Sequence, residues 1–102
     1  MPDRVKIARC SEVPPGTGRV LVAGGRVLAL FNVGGKFHAV DNTCPHRGGP
    51  LGEGHLEGTL VTCPWHGWQF DVRTGSSPRN PHASVRCVKV ESEGDDLYAC
   101  LD

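Results

Sequence analysis

Four side chains in two short stretches carry the chemistry of this chain. Cys44-Pro45-His46-Arg47-Gly48-Gly49 sets a thiol and an imidazole two positions apart, and Cys63-Pro64-Trp65-His66-Gly67-Trp68 sets the same pair three positions apart. Sixteen residues separate His46 from Cys63, so the two pairs can approach a metal from two directions. Structural zinc commonly draws its ligands as Cys-x-x-Cys and His-x₃₋₅-His, whereas each stretch here mixes one Cys with one His. The mixed pairs suit a two-iron, two-sulfide cluster, with Cys44 and Cys63 as thiolates on an inner iron and His46 and His66 as neutral imidazoles on an outer one. Two imidazoles in place of two thiolates make such a cluster less negative, so it accepts an electron more readily. The expected chemistry is one-electron transfer, with one cluster per chain.

Strands and turns must position these loops. Val20-Leu21-Val22, Val27-Leu28-Ala29-Leu30-Phe31 and Lys36-Phe37-His38-Ala39-Val40 are short runs divided by Gly24-Gly25 and Gly34-Gly35. Paired glycines between apolar runs are hairpin signals, because glycine reaches the positive φ of tight turns without steric cost. Val85 to Glu91 and Leu97 to Leu101 form another pair, joined by Ser92-Glu93-Gly94-Asp95-Asp96. Val85 and Cys87 run out of phase with Val88-Lys89-Val90-Glu91, which predicts a bulge near Cys87. Fourteen glycines and eight prolines leave little room for a long helix, so the expected fold class is all-β. From about residue 42 to 81 aliphatic residues thin out while glycine, proline, histidine and cysteine gather. Loops of that kind bury little apolar surface to offset their ordering entropy, and a metal centre bridging them would supply the missing hold. Gly48, Gly49 and Gly67 suit loops whose amides approach sulfur closely.

Length and charge exclude several functions. The 102 residues read as a single domain spanning 1–102 with a modest core. A net charge of zero gives no general attraction to nucleic acid or to an anionic membrane. No stretch approaches the roughly 20 apolar residues of a membrane span. The start, Met-Pro-Asp-Arg-Val-Lys, predicts no signal peptide. Five cysteines form no regular disulfide framework, so a soluble, cytoplasmic protein of a reducing compartment is expected. Residues 1–42 hold six Lys/Arg against three Asp/Glu, and residues 81–102 hold two against five. That asymmetry either keeps the last hairpin soluble or orients a charged redox partner.

On its two Cys/His stretches the chain resembles Rieske-type ferredoxins, similar to the ferredoxin components of bacterial aromatic-ring dioxygenase systems. Leu51-Gly52-Glu53-Gly54 and Phe70-Asp71-Val72-Arg73-Thr74-Gly75 match the family's usual continuations, and Ser77-Pro78-Arg79-Asn80-Pro81 resembles its proline-containing loop over the cluster. The resemblance implies three antiparallel sheets with a loop-rich cluster-binding subdomain, about 42–81, at one tip and both histidines towards solvent. It implies a carrier between an NAD(P)H-dependent flavoprotein reductase and a terminal oxygenase, and a monomer suits a shuttle that must present one small face to two partners in turn. The alternative is the Rieske-like small subunit of an assimilatory nitrite reductase, which the tryptophan-bearing second loop keeps open. The chain is not expected to be an oxygenase itself. That activity needs a further iron on two histidines and a carboxylate, and only His38, His55 and His82 remain, scattered and expected at the surface.

Departures from the respiratory branch of that family set expectations for the potential. Gly49 and Trp65 stand where those proteins carry a disulfide, and Trp68 and Phe70 stand where they place hydroxyls against the cluster and its sulfur. Fewer hydrogen bonds to sulfur imply a potential near the low end of the Rieske range, around −150 mV. The free ring nitrogens of His46 and His66 imply a potential that falls as pH rises through their pKa values. Trp65 and Trp68 read equally as filling around the cofactor and as docking surface, while Cys10, Cys87 and Cys100 read as small core or strand residues.

Overall fold

The computed structural model describes residues 3–43, 49–65, 67–80 and 82–101. In chain order the described strands are β1 (Asp3–Arg9), β2 (Gly18–Ala23), β3 (Arg26–Val33), β4 (Lys36–Asp41), β5 (His55–Glu57), β6 (Leu60–Thr62), β7 (Gln69–Asp71), β8 (Cys87–Glu93) and β9 (Asp96–Leu101). Single 3₁₀ turns at Cys10–Glu12 and Leu51–Glu53 are the helical elements among them. The chain is all-β, as expected.

Glycine builds the tight reversals. Gly24 and Gly25 join β2 to β3 with φ of +56° and +78°, the left-handed pair a two-residue hairpin needs to match strand twist. The strands form three antiparallel ladders: β1-β9-β8, β4-β3-β2 and β5-β6-β7. The first two are joined where Ala39 pairs with Val88 and Val40 with Cys87, giving one sheet in the order β1-β9-β8-β4-β3-β2.

Two cores share β3. Leu28 and Leu30 point to a first core with Ala39, Val88, Leu97 and Ala99. Ala29 and Phe31 point the other way, to a second core with Val40, Leu51, Val61, Cys63 and Phe70. A strand buried on both faces reads as an unbroken apolar run, which is why Leu28 to Phe31 shows no alternation.

The same division corrects the expected bulge near Cys87. The described pairing of β8 is regular, and the strand begins at Cys87. Val85 lies before the strand and fills the second core, whereas Val88 fills the first. The phase change therefore marks a switch of core, not an extra residue in a ladder. The register shift lies in β1 instead, between Lys6 and Ala8. His38 also departs from expectation: it is half-buried on β4, while His55 and His82 are exposed. Burial, with help from Arg73, lowers the His38 pKa.

Candidate metal centre

The small sheet exists to hold the second loop. β6 and β7 pair with Thr62 opposite Gln69, and the Gln69 amide donates to Thr62 Oγ1 at 3.2 Å. Beyond that pair the Cys63 N–H donates to the Trp68 carbonyl at 2.7 Å, closing the loop at its root. Cys63 is 1% exposed and packs in the second core among Phe31, Val61 and Phe70. The first residue of the loop is thus fixed in a dry, apolar wall, and the chain beyond it rises towards solvent, with Pro64, Trp65 and Gly67 exposed.

The first loop is closed by a different device. Thr43 pairs with Pro50 across its neck. Just outside, the buried Asn42 receives both the Leu51 N–H on its carbonyl and the Gly52 N–H on its side-chain Oδ1, each at 2.7 Å. Its own N–H donates to the Val27 carbonyl at 3.1 Å, tying the neck to β3. Asn42→Ala leaves the buried Gly52 N–H without this acceptor, at an expected cost of about 1–3 kcal/mol. Thermal unfolding should show a lower midpoint, and iron should be lost faster to a chelator. A midpoint equal to that of the wild type would remove Asn42 from this role.

The two loops meet at Gly49. A Cβ built on this buried glycine would lie 2.6 Å from Cys63 Sγ and 3.0 Å from Trp65 Cγ. Backbone of the first loop therefore approaches the sulfur of the second closely. A buried thiol facing a bare backbone at the meeting of two Cys/His loops fits a thiolate-bound cluster. Of the four sequence-chosen ligands, Cys63 stands at this junction, and Cys44, His46 and His66 lie outside the described residues. Phe70, which has no hydroxyl, is fully buried in the same core.

A third segment packs onto the same core through Val85 and Ala83. It leaves β7 by a turn in which Asp71 accepts from Thr74 and Gly75 N–H groups with its carbonyl, and from Arg73 N–H, Nε and Nη2 with its carboxylate. The Arg73 hydrogen bonds hold the Asp71 carboxyl below its ordinary pKa. A depressed carboxylate stabilises the fold fully above its unfolded value of about 3.9, and that stability is lost as pH falls through the lower folded value. Asp71→Asn should therefore flatten the acid limb of an unfolding-against-pH curve below about pH 4. An unchanged acid limb would place the titrating group elsewhere.

Among the described residues, Cys10, Cys87 and Cys100 belong to no metal-ligating cluster. The Cys100 thiol donates to Glu91 Oε1 at 2.9 Å, which raises its pKa, and burial raises that of Cys87. Both are thereby held as thiols, the poorer metal donors. Cys10 is half-buried at the edge of the first core. The tryptophans divide their roles: Trp68 packs on the second core, and Trp65 is exposed.

Comparison with known proteins bears on the same residues. Residues 3–91 match the model of the Rieske [2Fe-2S] domain. The chain is 40% identical to the ferredoxin CarAc of Metapseudomonas resinovorans, over 92% of this chain and 90% of that one. It is 36% identical to the ferredoxin component of biphenyl 2,3-dioxygenase from Rhodococcus jostii (strain RHA1), over 95% and 92% of the two chains. It also superimposes, with a TM-score of 0.87 and 33% identity over 95% of this chain and 92% of the other, on a chain from a complex of reduced oxygenase and oxidised ferredoxin in carbazole 1,9a-dioxygenase.

Proposed function

Because the chain belongs to the Rieske [2Fe-2S] domain family, we propose that it is a ferredoxin, a one-electron carrier that serves a terminal oxygenase. Its whole length acts as one Rieske domain, with Cys44 and Cys63 as the thiolate ligands and His46 and His66 as the imidazole ligands. When bound, the cluster supplies a one-electron couple. The observation that carries this reading is the buried Cys63 sulfur against the bare backbone of Gly49, where the two loops come together.

The chain's own residues supply what a carrier needs. Asn42 and the Cys63–Trp68 hydrogen bond fix the roots of both loops, so little has to reorganise when charge changes. Phe31, Phe70 and Val61 exclude water from the inner side of the site. Trp65 and Pro64 are exposed on the outer side, where a partner can come close. The protein is a component of an oxidoreductase system and not a catalyst by itself. An NAD(P)H-dependent flavoprotein reductase is its electron donor, and it works as a cytoplasmic monomer. The reading as a nitrite reductase small subunit is less supported, since the sequence identity lies with dioxygenase ferredoxins. Tight co-purification with a large subunit would favour it.

The test is an anaerobic preparation assayed for iron and acid-labile sulfide, followed by a redox titration. About two irons and two sulfides per chain and a potential near −150 mV are expected. A colourless or zinc-loaded protein would overturn the cluster. A potential above about +100 mV would overturn the low-potential assignment alone.

A further inference from the structure

We propose that Ser77 is a positioning residue for the redox centre, its hydroxyl donating a hydrogen bond to a sulfide of the bound cluster and so raising the reduction potential. The inference rests on the carrier reading above. Ser77 is 4% exposed, and its Oγ is buried with no hydrogen-bond partner. Buried hydroxyls in folded proteins rarely lack a partner, because an unmade bond costs the full desolvation of the group.

The backbone around Ser77 fixes the face its side chain takes. Ser76 pairs with Ser84, flanked by bonds from Val85 N–H to Gly75 O at 2.8 Å and from Ser77 N–H to Ala83 O at 3.4 Å. Ser77 therefore stands directly across from Ala83, and residues opposite each other in an antiparallel pair share a face. Ala83 and Val85 pack on the second core, whereas Ser76 and Ser84 are exposed. Ser77 is turned to that core as well. The described side chains of the core are hydrocarbon apart from the Cys63 thiol and the Trp68 indole. An indole N–H donates and does not accept, so the acceptor chemistry of this face is sulfur. Cys63 Sγ is not itself the partner of the Ser77 hydroxyl, which leaves the sulfur that a cluster brings. Trp68 and Phe70 bring no hydroxyl to the same core. A sulfide gains negative charge on reduction, so the bond is stronger in the reduced state and favours it.

Redox titration of the iron-loaded protein tests the proposal, with iron content, the electron paramagnetic resonance spectrum and thermal unfolding measured alongside. Ser77→Ala should keep its iron and its spectrum but lower the equilibrium constant for reduction by about threefold to tenfold, the latter being about 59 mV for one electron. Ser77→Thr, which keeps the hydroxyl, should stay close to the wild-type potential, and so should Ser76→Ala on the exposed face. An unchanged potential in Ser77→Ala would overturn the proposal. So would an equal fall in Ser77→Thr, which would assign the shift to packing. A higher unfolding midpoint in loaded Ser77→Ala would show the hydroxyl unpartnered beside the cluster and overturn it too. Loss of iron from Ser77→Ala would give the residue a structural role instead. A wild type without iron and sulfide would retire the cluster reading itself, a failure distinct from that of Ser77.

Discussion

Cys63→Ser should purify as a colourless protein holding less than about a tenth of the wild-type iron, because a serine hydroxyl stays protonated at neutral pH and cannot replace a thiolate ligand. The position makes the loss hard to rescue. Cys63 is 1% exposed among Phe31, Val61 and Phe70, so another ligand cannot swing in without opening the second core. The more polar oxygen in that wall should cost about 1–2 kcal/mol of stability besides. Cys63→Ala separates the two effects, since it removes the ligand without adding a hydroxyl. Cys87→Ser is the control: that thiol is exposed and kept protonated, so its replacement should leave iron content unchanged. Full iron in Cys63→Ser, or equal loss in Cys87→Ser, would mean that the ligand assignment is wrong.

Gly75→Ala should lower stability by about 3 kcal/mol or more, a large share of the roughly 5–15 kcal/mol that holds a small domain together. Two causes add. Gly75 has a φ of +81°, where an L residue pays about 1–2 kcal/mol. Its missing Cβ would also collide with the Val85 carbonyl oxygen and lie 3.2 Å from Cys87 Sγ. The carbonyl cannot yield easily, because the Val85 N–H donates to Gly75 O at 2.8 Å and binds the two backbones together. At 4–8 °C per kcal/mol, the midpoint should drop by roughly 15 °C. Gly25→Ala isolates the backbone part: its φ is +78°, but a Cβ there meets nothing within 4 Å. Equal midpoints for the two variants would show that the contact with Val85 carries no weight.

Much of the scaffold was legible from local pattern. The hairpins around Gly24-Gly25 and Gly34-Gly35, and the pair formed by β8 and β9, appear where apolar runs and glycines place them. The unexpected strands were those with weak local signals. β5, β6 and β7 have three residues each, too few for alternation to show, and what holds them is the packing of Leu56, Val61 and Phe70 in the second core. β1 carries Val5 and Ile7 in phase, but its register shift before Ala8 breaks the pattern. Asn42 gave no signal as a neck residue, because an asparagine before a loop has many uses and only the returning chain supplies the Gly52 N–H.

The choice and order of donor groups belong to the chain itself. Metal donors are intrinsic to side-chain type, and the spacing of Cys44, His46, Cys63 and His66 is a property of the chain. The tertiary structure decided access and support. It buried Cys63 against Gly49, put Trp68 on the core and Trp65 in solvent, and divided the apolar residues of β3 between two cores. Burial depends on which distant segments fold over a residue, and Leu51, Cys63 and Phe70 share a core because all three pack against Ala29, Phe31 and Val40 of β3 and β4. Two tryptophans three positions apart in one loop are alike in the sequence; packing alone makes one a wall and the other a surface.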